Sequence, residues 1–321
     1  MIGIPGFELD DSTRALICED GVHNFILFRR NVSDRQQLSL LCRQLRETCV
    51  RQGLPRPLIA IDQEGGQVAR LPPPFTLFDE PRSLAESSDC QARLLHYAVT
   101  CAEELISVGI NFNLAPVLDV CPVGKGLFME RRCLGDDPQR VAELGALVVG
   151  GLQSAGVAAC AKHFPGLGSA LLDPHLDLPV VDLSVERLMA HDLVPFVEAI
   201  DAGVAAVMTS HAVYSAMDGS LPGTLSRRVI HEVLRERCGY DGLIITDDME
   251  MGAIEKFMAF PDAVVKAFLA GADLVLICHD HQKIRNALTS LGKILSDGTE
   301  ERARVKDSLR RQDAILARIA G

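Results

Sequence analysis

GVAACAKHFPGLGSALLDPH (156–175) starts as a run of small apolar residues, stops on Lys162 and His163, and then turns through Pro165, Gly166 and Gly168. A short run that is apolar at every position suits a strand covered on both faces, as in a parallel sheet. LIITDD (243–248) has the same form, with an apolar run ending on Asp247 and Asp248. So do PLIAI (57–61) before Asp62-Gln63-Glu64, and VAAVMT (204–209) before Ser210-His211. MIGI (1–4), FILF (25–28), INFNLAPVLDV (110–120, carrying Asn113) and ADLVLI (272–277) bring the number of such runs to eight.

Amphipathic segments separate the runs. SDRQQLSLLCRQLRETCV begins with a capping-box signal, Ser33 with Gln36. DDPQRVAELGALVVGGLQSAG opens on acids and ends at Gly156, and SRRVIHEVLRERCG runs from Ser226 to Gly239. Eight buried strands alternating with helices predict a single (β/α)8 TIM-type barrel over residues 1–321, with no linker dividing it. The structural rival is an open doubly wound sheet. Its glycine fingerprint after the first strand is missing, since PGFELDD follows Ile4. A barrel also explains why the polar residues gather where the apolar runs stop, because those ends ring one mouth. Each cluster alone would also fit a solvated strand end.

The 321 residues carry 32 basic and 43 acidic side chains, a net charge of −11, without a long basic run. Nucleic acid and anionic membrane surfaces are therefore not expected as partners. The first residues lack the basic and apolar parts of a signal peptide, and no apolar stretch is long enough to span a bilayer. Ten cysteines lie mostly in apolar runs without CxxC pairs, which predicts reduced, buried thiols and a cytoplasmic protein. Cys278-His279-Asp280-His281 lacks a spaced second ligand pair, HExxH is absent, and neither a phosphate loop nor a nucleophile elbow occurs. No metal or cofactor is expected.

IDQEGGQVARL (61–71) places Asp62 and Glu64 beside Gly65-Gly66, with Arg70 downstream. A carboxylate at a barrel mouth accepts hydrogen bonds from hydroxyl groups, and paired glycines permit close backbone approach. A helix cap with a surface ion pair would give the same residues. In LIITDD, adjacent side chains alternate in direction, so at most one of the two acids faces the mouth. Asp247 suits a nucleophile or a metal ligand, against the plainer reading of two solvated acids. Lys162-His163 offers donors to a polar ligand, or a structural hydrogen-bond site. In Asp173-Pro174-His175 a carboxylate two residues from an imidazole can orient it and prepare it for proton transfer, although a DxH triplet often arises by chance.

Together these motifs resemble the family 3 glycoside hydrolases of the bacterial β-N-acetylhexosaminidase type. The likeness runs through FILFRRNVSDRQQL, IDQEGGQVARL, NFNLAPVLDV, RRCLGDDP, KHFPGLGSALLDPH, TSHAVYSAMDGSLPGTLS and YDGLIITDDMEM, in that order. It implies a retaining exo-β-N-acetylglucosaminidase with Asp247 as nucleophile, His175 as general acid/base and Asp173 as its dyad partner. It further implies sugar binding by Asp62, Arg70, Arg132, Lys162 and His163. The implied substrate is a small carbohydrate or muropeptide carrying GlcNAc-anhydroMurNAc, processed by a monomer in peptidoglycan recycling. A β-glucosidase or phosphorolytic relative, a silent sugar-binding barrel and a metal-dependent barrel hydrolase are the alternatives. Three positions depart from the family pattern: Leu167 replaces a common histidine, Pro174 a common serine, and RCLG stands where RSFG is usual.

Overall fold

A computed structural model describes residues 1–319. Eight strands pair in parallel and in chain order: β1 (Ile2–Gly3), β2 (Phe25–Leu27), β3 (Ile59–Ile61), β4 (Phe112–Asn113), β5 (Ala158–Phe164), β6 (Ala206–Thr209), β7 (Leu243–Asp248) and β8 (Leu274–Leu276). The sheet closes on itself. Gly3 N–H donates to Ile277 O at 3.0 Å, and Ile277 N–H to Met1 O at 3.1 Å. A helix follows every strand, in order Asp11–Cys18, Arg35–Arg51, Cys90–Val108, Pro138–Ser154, Val194–Asp201, Arg228–Arg237, Phe260–Ala270 and His281–Asp297. This is the predicted (β/α)8 barrel.

Strand parity divides the core into two layers. Ala60, Phe112, Ala158, Cys160, Ala206, Met208, Leu243 and Ile245 pack together inside the barrel. Their neighbours Ile59, Ile61, Ala159, Ala161, Val207 and Ile244 belong to the outer layer, against the helices. The small interior residues on β5 and β6 leave room for Phe112 and Met208, giving the filled interior expected of this barrel. A further helix at the C-terminal end of the described residues, Thr299–Arg318, sends Ile315 and Leu316 into the interior cluster, joined by Ile319, and so closes the N-terminal end of the barrel. Among the described residues, no helix is long and apolar enough to cross a membrane.

Local detail departs from expectation in three places. The cap of Arg35–Arg51 is Asp34, one residue later than the Ser33–Gln36 signal. Asp34 Oδ1 accepts from Gln37 N–H at 2.9 Å, while Gln37 Oε1 accepts from Ser33 N–H at 2.8 Å. The helix Arg228–Arg237 is π-wound rather than α. Gly65 and Gly66, with φ of +105° and +55°, serve a turn against their own chain. A Cβ on Gly65 would lie 2.6 Å from Asp79 O and one on Gly66 2.9 Å from Glu80 Cα, so both glycines are packed against the protein's own backbone.

Candidate active site

The interior parity carries on past each apolar run into the mouth. Two residues beyond Ala60 is Asp62, two beyond Cys160 is Lys162, and two beyond Ile245 is Asp247. Side chains that alternate along a strand therefore bring all three to one side. The register of β5 with β6 shifts between Ala161 and Phe164, at Lys162-His163. Such an irregularity re-aims a side chain, and both residues of the pair contact acids from other strands of the mouth.

Lys162 is 2% exposed, and its Nζ lies 2.9 Å from Asp62 Oδ1 and 2.7 Å from Glu64 Oε1. Arg132 reaches the same Glu64 through Nε at 2.9 Å and Nη2 at 2.7 Å, a bidentate pair. Arg70 Nη2 lies 3.4 Å from Asp62 Oδ2. Burial alone would raise the Glu64 carboxyl, but the charges of Arg132 and Lys162 hold it far below the usual carboxylate range. Burial alone would lower Lys162, yet Asp62 and Glu64 keep it raised and cationic. Four of the five expected sugar-binding residues, Asp62, Arg70, Arg132 and Lys162, thus form one network. Glu64, which the sequence reading noted but gave no role, is its centre.

His163 belongs to a second network. Its Nδ1 lies 2.7 Å from Asp119 Oδ2. Asp119 is wholly buried and also accepts from the backbone N–H groups of His163 (3.2 Å) and Leu167 (2.6 Å). An ionised carboxylate only accepts, so Nδ1 carries the proton and Nε2 is left facing the mouth, 4.0 Å from Asp247 Oδ2. Asp119 went unassigned at the sequence level, although a carboxylate inside the apolar run VLDV was the signal for it. At Leu167, where the family's histidine is common, the backbone N–H supplies a bond that no side-chain change removes.

Asp247 Oδ1 accepts from Asp248 N–H at 2.8 Å. Burial would raise the Asp247 carboxyl, but His163 and His211 more than offset it, with help from that hydrogen bond and Lys162, so it is held below its ordinary value. His211 is pushed down by burial, and its Nε2 donates to Asp248 O at 2.9 Å. Asp248 lies 3.5 Å from His279 Nε2, at a point where the pairing of β7 with β8 is irregular between Ile245 and Asp248.

Asp173 and His175 stand on the long loop after β5. His175 Nδ1 lies 2.7 Å from Asp173 Oδ1, which also accepts His175 N–H at 2.9 Å. Pro174 therefore interrupts the triplet without separating the dyad. The loop rests on the segment that follows Asp247-Asp248, where Gly252 N–H donates to His175 O (3.3 Å), Ala253 N–H to Pro174 O (3.1 Å) and Lys256 Nζ to Leu176 O (2.7 Å). Neither member of the dyad bonds directly to Asp247. The imidazole stays largely exposed and its Nε2 has no partner among the described residues.

The chain has the following likenesses. The glycosyl hydrolase family 3 N-terminal domain matches residues 2–314. A β-hexosaminidase of Alkalilimnicola ehrlichii is 38% identical over 303 residues, spanning 91% of this chain and 83% of that protein. The solved family 3 β-N-acetylglucosaminidase of a Paenibacillus species superposes with a TM-score of 0.94 at 39% identity, covering 100% of this chain, which spans 61% of that one. A β-N-acetylhexosaminidase of Beutenbergia cavernae gives a TM-score of 0.89 at 29% identity, covering 100% of this chain and 96% of that one. With this barrel and this mouth, the chain belongs to glycosyl hydrolase family 3 and is a glycoside hydrolase.

Proposed function

We propose that the chain is an exo-acting, retaining β-N-acetylglucosaminidase that works through a covalent intermediate on Asp247. The observation that carries this reading is the division of labour at the mouth. Asp247 is kept ionised on a rigid strand end by buried cationic and donor groups, while an oriented imidazole rides on a separate loop docked beside it. The curated relatives' β-hexosaminidase names support the amino sugar as substrate.

In the proposed sequence, Asp62, Arg70, Arg132, Lys162 and His163 hold the terminal sugar. Asp173 fixes Nδ1–H of His175, leaving Nε2–H to protonate the glycosidic oxygen. Asp247 Oδ2, the oxygen not engaged by Asp248 N–H, attacks the anomeric carbon and forms an ester as the aglycone departs. Nε2 then takes a proton from water, which hydrolyses the ester and frees the sugar with its configuration retained. The natural substrates we propose are muropeptides bearing GlcNAc-anhydroMurNAc, met in the cytoplasm.

A phosphorolytic relative is the second reading. A histidine repels an anionic acceptor less than the carboxylate that usually serves as acid/base, and here that base is His175. Trapping with a 2-fluoro sugar should label Asp247, and Asp247→Ala should reduce turnover to background in a folded protein. His175→Ala should cost roughly 10²–10⁴-fold on substrates with poor leaving groups and far less on activated aryl glycosides. A label elsewhere, equal losses on both substrates, or faster cleavage of aryl β-glucoside than aryl β-GlcNAc would refute the proposal. Product analysis with added phosphate separates hydrolysis from phosphorolysis.

A further inference from the structure

Ser210-His211 ends the apolar run 204–209, as Lys162-His163 and Asp247-Asp248 end theirs, yet the chemistry above gives it no part. His211 is 1% exposed, and its ring is held at both nitrogens. Nδ1 lies 2.8 Å from Thr224 Oγ1, and Nε2 donates to Asp248 O at 2.9 Å. Thr224 is itself tied to the end of β6, through its N–H to Ser210 O at 3.0 Å and its hydroxyl 2.9 Å from Thr209 Oγ1. That hydroxyl can donate to Nδ1, or accept from it while donating to Ser210 O at 3.0 Å, so the ring is satisfied whether neutral or charged. A carbonyl only accepts, so Nε2 carries a hydrogen in both states.

The contact falls where the sheet stops holding β7. Pairing of β7 with β6 ends at Thr246 opposite Thr209, and pairing with β8 is irregular between Ile245 and Asp248. Asp247 and Asp248 therefore lie beyond the ladder on one side and in a broken ladder on the other. Asp248 O is held by His211 Nε2 and by Met251 N–H at 3.1 Å. The N–H of the same residue is the donor to Asp247 Oδ1, at 2.8 Å.

We propose that His211 is a positioning residue for the nucleophile. By holding the carbonyl of Asp248 it fixes that residue's backbone, keeps its N–H on Asp247 Oδ1, and leaves Oδ2 aimed at the anomeric carbon. A buried ring that only filled space would need no donor toward β7. The inference rests on Asp247 as the nucleophile proposed above. Misplacing the attacking oxygen by about 1 Å can cost ~10²-fold in rate.

The test compares variants of the whole protein on the aryl glycoside that the parent cleaves. His211→Met fills much of the same space without a donor. His211→Gln returns one, because the glutamine amide nitrogen stands as many bonds from the backbone as Nε2. His211→Met should lose ~10–100-fold in kcat/KM, equally for good and poor leaving groups, while Ki for the free sugar stays close to the parent's. His211→Gln should recover most of that loss. Thr224→Val frees Nδ1 and leaves His211 in place, so it should fall between the parent and His211→Met, and it decides the question if His211→Met does not fold. Parent-like kcat/KM in His211→Met or Thr224→Val, or a His211→Gln no better than His211→Met, would overturn the proposal. A Ki that rises as far as kcat/KM falls would overturn it too, by making His211 a sugar-binding residue. Trapping with a 2-fluoro sugar separates the two possible failures. A label away from Asp247 removes the nucleophile assignment and this inference with it, whereas a label on Asp247 with parent-like variants removes only the part given to His211.

Discussion

Asp248 shows how much the environment of one side chain decides. It follows Asp247 directly, where the pairing of β7 with β8 is irregular, and lies against Cys278 and His279. Burial pushes its carboxyl up to about 7. Glu250 N–H at 3.1 Å opposes this, while the charges of Glu250 and Asp247 add to it. The unfolded chain loses this proton near the ordinary value of 3.8, the folded chain near 7. Between those values the folded state binds the extra proton, so Asp248 takes stability away as pH rises through the window and exacts its full cost above it. Asp248→Asn keeps the side chain neutral throughout. The variant should match the parent in Tm near pH 4 and exceed it by several degrees at pH 8, as scanning calorimetry would show. A difference independent of pH would mean that Asp248 is not the group that titrates.

Among the elements, the dyad loop is the one whose position was least legible in the sequence. DPH could be read as a carboxylate orienting an imidazole, and the 2.7 Å contact agrees. The seat of the loop could not, because it is made of backbone bonds to 252–253, which any sequence might donate, and of Lys256. The strand pairing beyond the loop is equally silent: Val180–Val181 pairs with Val213–Tyr214, which pairs with Gly219–Pro222, in a small sheet beside the barrel. Leu171, Leu172 and Leu176 stand exposed, so apolar packing contributes little to holding the loop. Gly252 therefore matters for what it lacks. A Cβ there would come within 2.8 Å of His175 O and 3.0 Å of Leu176 O, too close for either carbonyl to stay. Gly252→Ala should push the dyad off its seat, with a loss of up to ~100-fold in turnover of substrates with poor leaving groups. Activated aryl glycosides and Tm should change little. Equal losses on both substrate types would place the damage at Asp247 instead.

For the whole molecule, legibility follows the two ends of the barrel. The alternation of apolar runs and amphipathic segments is imposed by burial on both faces of each strand, so the architecture could be read residue by residue. The mouth was legible wherever a polar residue ended an apolar run, as at Asp62, Lys162, His163, Ser210-His211 and Asp247. It was less so at Asp119 and Glu64, whose importance lies in partners 44 and 68 residues away in sequence. The opposite end carried no motif, because Thr299–Arg318 closes it with plain aliphatic side chains. That polarity of the barrel makes a prediction. Ile315 is 4% exposed and packs into the interior cluster at the closed end, so truncating it leaves a cavity in the floor. Ile315→Ala should cost about 2–5 kcal/mol of unfolding free energy. The mouth residues sit at the other end of the same strands, on a sheet closed by continuous hydrogen bonding, and the cavity removes none of their contacts. KM and kcat below the melting transition should therefore stay within about two-fold of the parent, a change worth less than ~0.5 kcal/mol. Denaturant titration and steady-state kinetics on the same preparation would check both halves. A large KM change at unaltered stability would mean that the floor and the mouth are coupled, and that the division between a structural and a chemical end fails in this barrel.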